Sequence, residues 1–410
     1  MSNPRLPPEI LDHIVDHLHD TKDTLRNCCL VSKSWIPRAR RHLFADIKFH
    51  LTKDLELWKK AFPDPSTSPA CYAEALLVRC PEAVAAADAE AGGWITAFSR
   101  VAHLWLQSWV IGSTSSAPFA PFHRLSPVVK SLYVELDTLE SPHIFDLILS
   151  FPLLEDLTMN IHYKALIEDD DSPDWPLTSA QPSSPQMFTG SLKLLLMGGV
   201  KHVTHWLLFL PGGIHFRKLI WGWTHEEHLS LMMALVEGCS QTLEFLDIIR
   251  TDPIIGTSIR CLPLHKITHA VLFLGEPRLT PINLSKIIKL KDVAFQSEGL
   301  SVTWIIMALL TVTPNHRHLQ QISLYAPRLR SHHTEDPAYD WYGVGESLYG
   351  QWLELDRLFV QLWESHSIRL KISCRASSGK EGEVAVSRMH SLFPEVTNRG
   401  IADFVKHEWR

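Results

Sequence analysis

One short pattern recurs along this chain: an apolar residue, two of any kind, an apolar residue, one of any kind, an apolar residue. It occurs at Phe44/Ile47/Phe49, Ala73/Leu76/Val78, Val101/Leu104/Leu106, Val129/Leu132/Val134, Leu154/Leu157/Met159 and Leu192/Leu195/Met197. It continues at Phe216/Leu219/Trp221, Leu243/Leu246/Ile248, Ile267/Ala270/Leu272, Leu290/Val293/Phe295 and Leu319/Ile322/Leu324, and a weaker Leu370/Ile372 closes the series. Between middle residues, counted from Ile47, the steps are 29, 28, 28, 25, 38, 24, 27, 24, 23 and 29, then 48. The last two apolar positions alternate, as in a strand with one buried face. Helical patterns lie between: Ile144 to Leu149, Val203 to Leu210, His228 to Val236, Trp304 to Leu310 and Leu348 to Trp363. A strand and a helix repeated at this period predict an α/β solenoid over residues 51–410, a horseshoe with parallel strands inside and helices outside. A doubly wound α/β domain would share the patterning. The regular period and the lack of a Gly-rich phosphate loop weigh against it.

The period resembles that of leucine-rich repeats, which run at roughly 20 to 29 residues. The motif match is degenerate. Where such repeats place a turn-bonding asparagine, this chain has Asp137, His162, Thr224, Thr251, Gly275, Glu298 and Pro327. Two long steps mark insertions. Residues 163–189 contain Glu168-Asp169-Asp170-Asp171 and then several prolines and serines, a composition that does not build a core. Residues 327–349 hold His332, His333 and the aromatic Tyr339-Asp340-Trp341-Tyr342. A Ser/Pro loop is expected over 112–121.

Composition bounds the function classes. A net charge of −6 offers no basic face for nucleic acid. Arg38-Ala39-Arg40-Arg41 is the one basic cluster, expected to be a solvated or partner-facing helix surface. Seven cysteines without a CxxC pair read as reduced, mostly buried residues. The polar, proline-rich start does not resemble a signal peptide. The longest apolar runs, Trp304 to Leu310 and Trp206 to Leu210, are too short to cross a bilayer. A cytoplasmic or nuclear protein is expected.

The first fifty residues differ from the rest. Pro7 and Pro8 suit a helix's first turn, and Glu9 places a carboxylate at the positive end of its dipole. Ile10, Leu11, Ile14, Val15 and Leu18 then form one apolar stripe. Asp20 or Thr21 can cap a second helix carrying Leu25, Cys28, Cys29 and Val31. A third is expected from near Trp35 and Pro37 to Leu43. The sequence Leu6-Pro7-x-Glu9-Ile10-Leu11, then Ile14 and Leu18, then Leu30-Val31-Ser32-Lys33-x-Trp35, then His42-Leu43-Phe44, resembles an F-box, in the variant numerous in mushroom-forming fungi. Ser34 departs from the Arg or Lys that family members often have before the tryptophan. The resemblance covers about residues 1–50. It implies that Leu6, Pro7, Glu9, Ile10, Leu11, Val31, Ser32, Lys33 and Trp35 bind a Skp-type adaptor and, through it, a cullin.

No catalytic constellation emerges. His202/His205 and His225/His228 are spaced i, i+3 and do not match the His-Glu-x-x-His zinc signature. Asp169 to Asp171 lack the glycine and distal glutamate of an EF-type calcium loop. Nucleophile-elbow, Walker and dinucleotide fingerprints are absent. No cofactor or metal is expected. The resemblance implies the non-catalytic, target-binding subunit of an SCF-type ubiquitin ligase. An F-box scaffold outside the ligase, or a divergent α/β hydrolase, are the alternatives. For the unknown target protein, strand residues alternating with the buried set suggest an apolar patch: Leu194, Leu196, Ile220, Phe245, Ile249, Val271 and Phe273. The patch could equally be covered core, because parallel strands are often buried on both faces.

Overall fold

A computed structural model of the chain describes residues 7–91, 93–108, 119–125, 127–136, 143–161, 188–196, 200–210, 212–223, 228–250, 282–296, 302–325, 346–376 and 379–408. The chain divides into two compact units, Met1–Gln186 and Met187–Arg410.

The first unit opens with three helices, α1 (Pro8–His17), α2 (Lys22–Val31) and α3 (Ile36–Leu43). It continues through β1 (Asp46–Phe49), α4 (Thr52–Ala61), β2 (Ala75–Val78), α5 (Pro81–Ala91), β3 (His103–Ser108), β4 (Ser131–Leu136), α6 (His143–Leu149) and β5 (Asp156–Ile161). The strands pair in parallel and in chain order, β1 to β5. Residue for residue, Leu76 lies beside Leu104, Leu104 beside Leu132 and Leu132 beside Leu157. Those leucines, with Val78, Leu106, Val134 and Met159, are buried. So are Ala73, Val101, Val129 and Leu154, the first residues of each signature. The three-position pattern thus has a physical meaning. The first residue seals the turn into the strand, and the next two fill the strand's core face, each side chain contributing about 1.5–3 kcal/mol when fully buried.

The second unit repeats the scheme with β6 (Ser191–Leu196), α7 (Val200–Leu208), β7 (Lys218–Trp223), α8 (His228–Gly238), β8 (Phe245–Arg250), β9 (Asp292–Gln296), α9 (Val302–Leu309) and β10 (Gln321–Tyr325). It ends with α10 (Glu346–His366), β11 (Arg369–Ala376), α11 (Gly379–Leu392), α12 (Pro394–Arg399) and β12 (Ala402–Glu408). Its strands also pair in parallel in chain order, β6 to β12. The expected α/β solenoid, three helices followed by a repeating strand-and-helix ladder, is the observed fold. One difference is β12. Its register sets Ala402 and Phe404 beside Leu370 and Ile372, so its signature is Arg399/Ala402/Phe404, and the arginine hides it.

A backbone device recurs at the start of most strands. The carbonyl just before one strand accepts two consecutive N–H groups from the entrance of the next. Ala45 O takes Glu74 and Ala75, Glu74 O takes Ala102 and His103, and Ala102 O takes Lys130 and Ser131, at 2.8–3.0 Å. Gly190, Arg217, Glu244 and Lys291 do the same in the second unit. At these turn-ins the bonds satisfy the backbone without a side chain. The seven sites compared with the repeat asparagine lie outside the described residues.

Two sequence expectations shift. In β6 the core face carries Leu192 and Leu194, not Leu192 and then Leu195, because Leu192 pairs with Leu219 and Leu194 with Trp221. Leu194-Leu195-Leu196 fits either phase, and only pairing with β7 chooses between them. The signature at Ile267/Ala270/Leu272 lies outside the described residues, and the ladder passes directly from β8 to β9. Among the described residues no helix is long and apolar enough to cross a membrane.

Candidate functional site

In the three N-terminal helices, Val15, Leu25, Cys28 and Ala39 form the core, with Leu18, Cys29, Trp35 and Leu43 packed against it. An ionic clasp joins α1 to α3. Arg38 donates to both oxygens of Asp16, at 2.6 and 2.5 Å, and His42 Nε2 lies 2.7 Å from Asp16 Oδ1. These bonds, Arg38 foremost, hold the Asp16 carboxyl well below the usual carboxylate range. Arg41 bonds Glu74 at 3.1 Å. Two of the three arginines in the basic cluster therefore tie the helices down, and Arg40 faces solvent.

The core closes without several apolar side chains. Leu30 is 85% exposed and Val31 70%, at the C-terminal end of α2. Ile10 (46%) and Ile14 (39%) stand one turn apart on α1. The single stripe expected on α1 is thus two: Val15 and Leu18 face inward, Ile10 and Ile14 outward. Of the residues assigned to adaptor binding, Pro7, Glu9, Ile10, Val31 and Lys33 are exposed. Leu11 and Ser32 are partly buried, and Trp35 is partly buried against the domain's own core. Leu6 lies outside the described residues. Leu30 and Ile14 were missed as surface residues. Their signal was an apolar stripe too wide for one helical contact.

In the first unit, the strand face opposite the core carries His103 and Trp105 on β3, Ser131 and Tyr133 on β4, and Thr158 on β5. Trp105 is 48% exposed and meets Tyr133 edge-on, ring centroids 5.3 Å apart. Beside them Arg79 Nε donates to Gln107 Oε1 at 2.6 Å, and Gln107 donates to Glu135. Tyr133 Oη also donates to Glu135, at 3.0 Å. An aromatic pair fixed beside a hydrogen-bonded polar strip is a preorganised recognition surface.

In the second unit the expected apolar patch is only partly assembled. Leu194 is a correction: it is fully buried, because strand phase turns it to the core. Ile220, Phe245 and Ile249 do lie on the opposite face and are partly buried. Leu196 ends β6, and Val271 and Phe273 lie outside the described residues. The face is also more polar than expected. Lys218 places its ammonium 4.8 Å from the centre of the Phe245 ring. Between Ile220 and Ala294 in the register sits Asp247, whose buried Oδ1 has no hydrogen-bond partner. Burial pushes its carboxyl up to about 6, against the pull of Lys218 and Lys193. An acid inside Phe-Leu-Asp-Ile-Ile was the sequence signal for it.

Compared with known families, residues 4–44 match the F-box-like model, which takes in α1, α2 and α3 and ends just before β1. No curated protein sequence matches the chain. The class defined by fold and site is a three-helix module leading into a parallel α/β ladder. The module is an F-box-like domain, of the kind that generally binds Skp-type adaptors and is typically non-catalytic.

Proposed function

We propose that this protein is the substrate-recognition subunit of an SCF-type cullin–RING ubiquitin ligase, of the fungal F-box type, with a degenerate leucine-rich-repeat ladder. The F-box-like domain, residues 1–50 in this reading, binds the Skp-type adaptor and through it a cullin. The ladder, residues 51–410, holds a target protein on its strand faces. The protein performs no chemistry of its own; it raises the target's effective concentration beside the ubiquitin-charged enzyme. It acts in the cytoplasm or nucleus.

The observation that carries this reading is the apolar surface of the F-box-like domain. Ile10, Ile14, Leu30 and Val31 stay exposed after the three-helix core has closed. Exposed apolar residues concentrated in one small domain mark an interaction surface. Pro7, Glu9, Leu11, Ser32, Lys33 and Trp35, with Leu6, belong to the same proposed interface. Ile220, Phe245 and Ile249, with Val271 and Phe273, remain the target-side proposal, and the Trp105–Tyr133 pair joins them; Leu196, in phase with Leu194 on β6, leaves it. The test is affinity purification of the tagged chain, probed for adaptor and cullin. Both should co-purify. Adaptor without cullin would instead indicate a scaffold outside the ligase, and neither would refute the proposal.

A further inference from the structure

On the strand face of the first unit that lies opposite the core, register sets Trp105 of β3 beside Tyr133 of β4. Leu77 and Thr158 flank the pair in the same row, so the row carries no charge of its own. Trp105 is half exposed, and the two rings meet at 70° with centroids 5.3 Å apart. Rings set nearly at right angles make a two-walled corner instead of a flat platform. Tyr133 is anchored in it. Its hydroxyl donates to Glu135 at 3.0 Å and accepts from Asn160 Nδ2 at 3.5 Å. Burial foremost pushes that hydroxyl above its ordinary value, so it keeps the proton it donates.

Charge decides what such a corner takes. The face of an aromatic ring is the negative part of its quadrupole, so it attracts cations and repels anions. The charged groups around the pair are sorted across the strands. The acids, Glu135 and Asp156, stand on β4 and β5, and Asp156 is exposed. His103 shares the row of Ser131 and Asp156. The base Arg79 follows β2 and donates to Gln107, which in turn donates to Glu135. On β1, Lys48 pairs with Asp46 at 2.9 Å. A neutral sugar also stacks on aromatic rings, but it needs polar side chains with bonds to give, and Gln107 is engaged at both ends. We propose that the corner of Trp105 and Tyr133 receives a lysine or arginine side chain of the target protein, its cation against the two ring faces and on the side of Glu135 and Asp156. This deepens the reading of the strand faces as the target surface and rests on it.

The test is fluorine NMR of the full chain labelled with fluorotryptophan, the Trp105 signal being the one lost in Trp105→Phe. The probes are the N-acetyl amides of arginine, lysine, norleucine and glutamate, and maltotriose. Arginine or lysine should shift the Trp105 signal saturably, at least about fivefold more tightly than norleucine, which has the apolar stem without the charge. Glu135→Gln should at least halve that ratio without moving the thermal melt, and Asp156→Asn, at an exposed site, serves if the first variant fails to fold. Equal binding of the cationic probes and norleucine overturns the proposal, as does a Trp105 signal that no probe moves. Preference for glutamate would assign the corner to the Arg79 side, and saturable binding of maltotriose alone would assign it to a sugar; either overturns it. The titration needs neither adaptor nor cullin. A cation preference in a chain that co-purifies with neither keeps the corner and removes the ligase reading, whereas co-purification without the preference keeps the ligase reading and overturns the corner.

Discussion

Leu30 and Val31 offer the most direct test of the adaptor surface, because their energetics separate binding from folding. Replacing both with alanine removes three carbons from Leu30 and two from Val31, each worth about 0.8 kcal/mol when buried. Scaled by their exposures of 85% and 70%, the apolar surface that an adaptor could cover is worth about 3 kcal/mol. That predicts a Kd weaker by more than about 100-fold. Neither side chain belongs to the three-helix core, so folding stability should change by less than about 0.5 kcal/mol. The assay is calorimetric titration of the purified chain with a Skp-type adaptor, alongside a thermal melt of each variant. An affinity loss below about threefold with an unchanged melt would refute the assignment of α2's end to the interface. A lowered melt would mean that these side chains support the fold after all.

Leu194→Ala should destabilise the second unit by about 2–5 kcal/mol, read by chemical denaturation, since Leu194 is fully buried on the core face of β6. A neutral effect would return Leu194 to the candidate target surface. Asp247→Asn should stabilise the chain by about 1–3 kcal/mol at pH 7.5, because burial raises the carboxyl to about 6 and the ionised form is disfavoured. The native state holds this proton more tightly than the unfolded chain, so wild-type stability declines as pH rises from about 4 toward 6 and then levels off. The advantage of asparagine should therefore shrink on acidification and vanish near pH 4. A pH-independent advantage would show that ionisation of Asp247 is not its cause.

The chain's own order of residues was enough to establish the repeating architecture. Val101/Leu104/Leu106 and its counterparts encode a turn seal and two core positions, and burial follows that code at β2 to β5 and again at β7 to β10. Such a pattern is local, since every repeat poses the same problem of hiding one strand face. The F-box resemblance was equally local, carried by Leu-Pro-x-Glu and the residues around Trp35. What pairing alone decided was phase. Three leucines in a row at the end of β6 satisfy either face, and contact with Leu219 and Trp221 selects one. Pairing also recruited β12, where register sets Ala402 and Phe404 beside Leu370 and Ile372, and where Arg399 breaks the apolar signature. Surface and core on α1 and α2 were likewise a tertiary decision. Ile14 and Val15 are both apolar neighbours on one stripe, but three short helices have room to bury only Val15, and Ile14, Leu30 and Val31 remain outside.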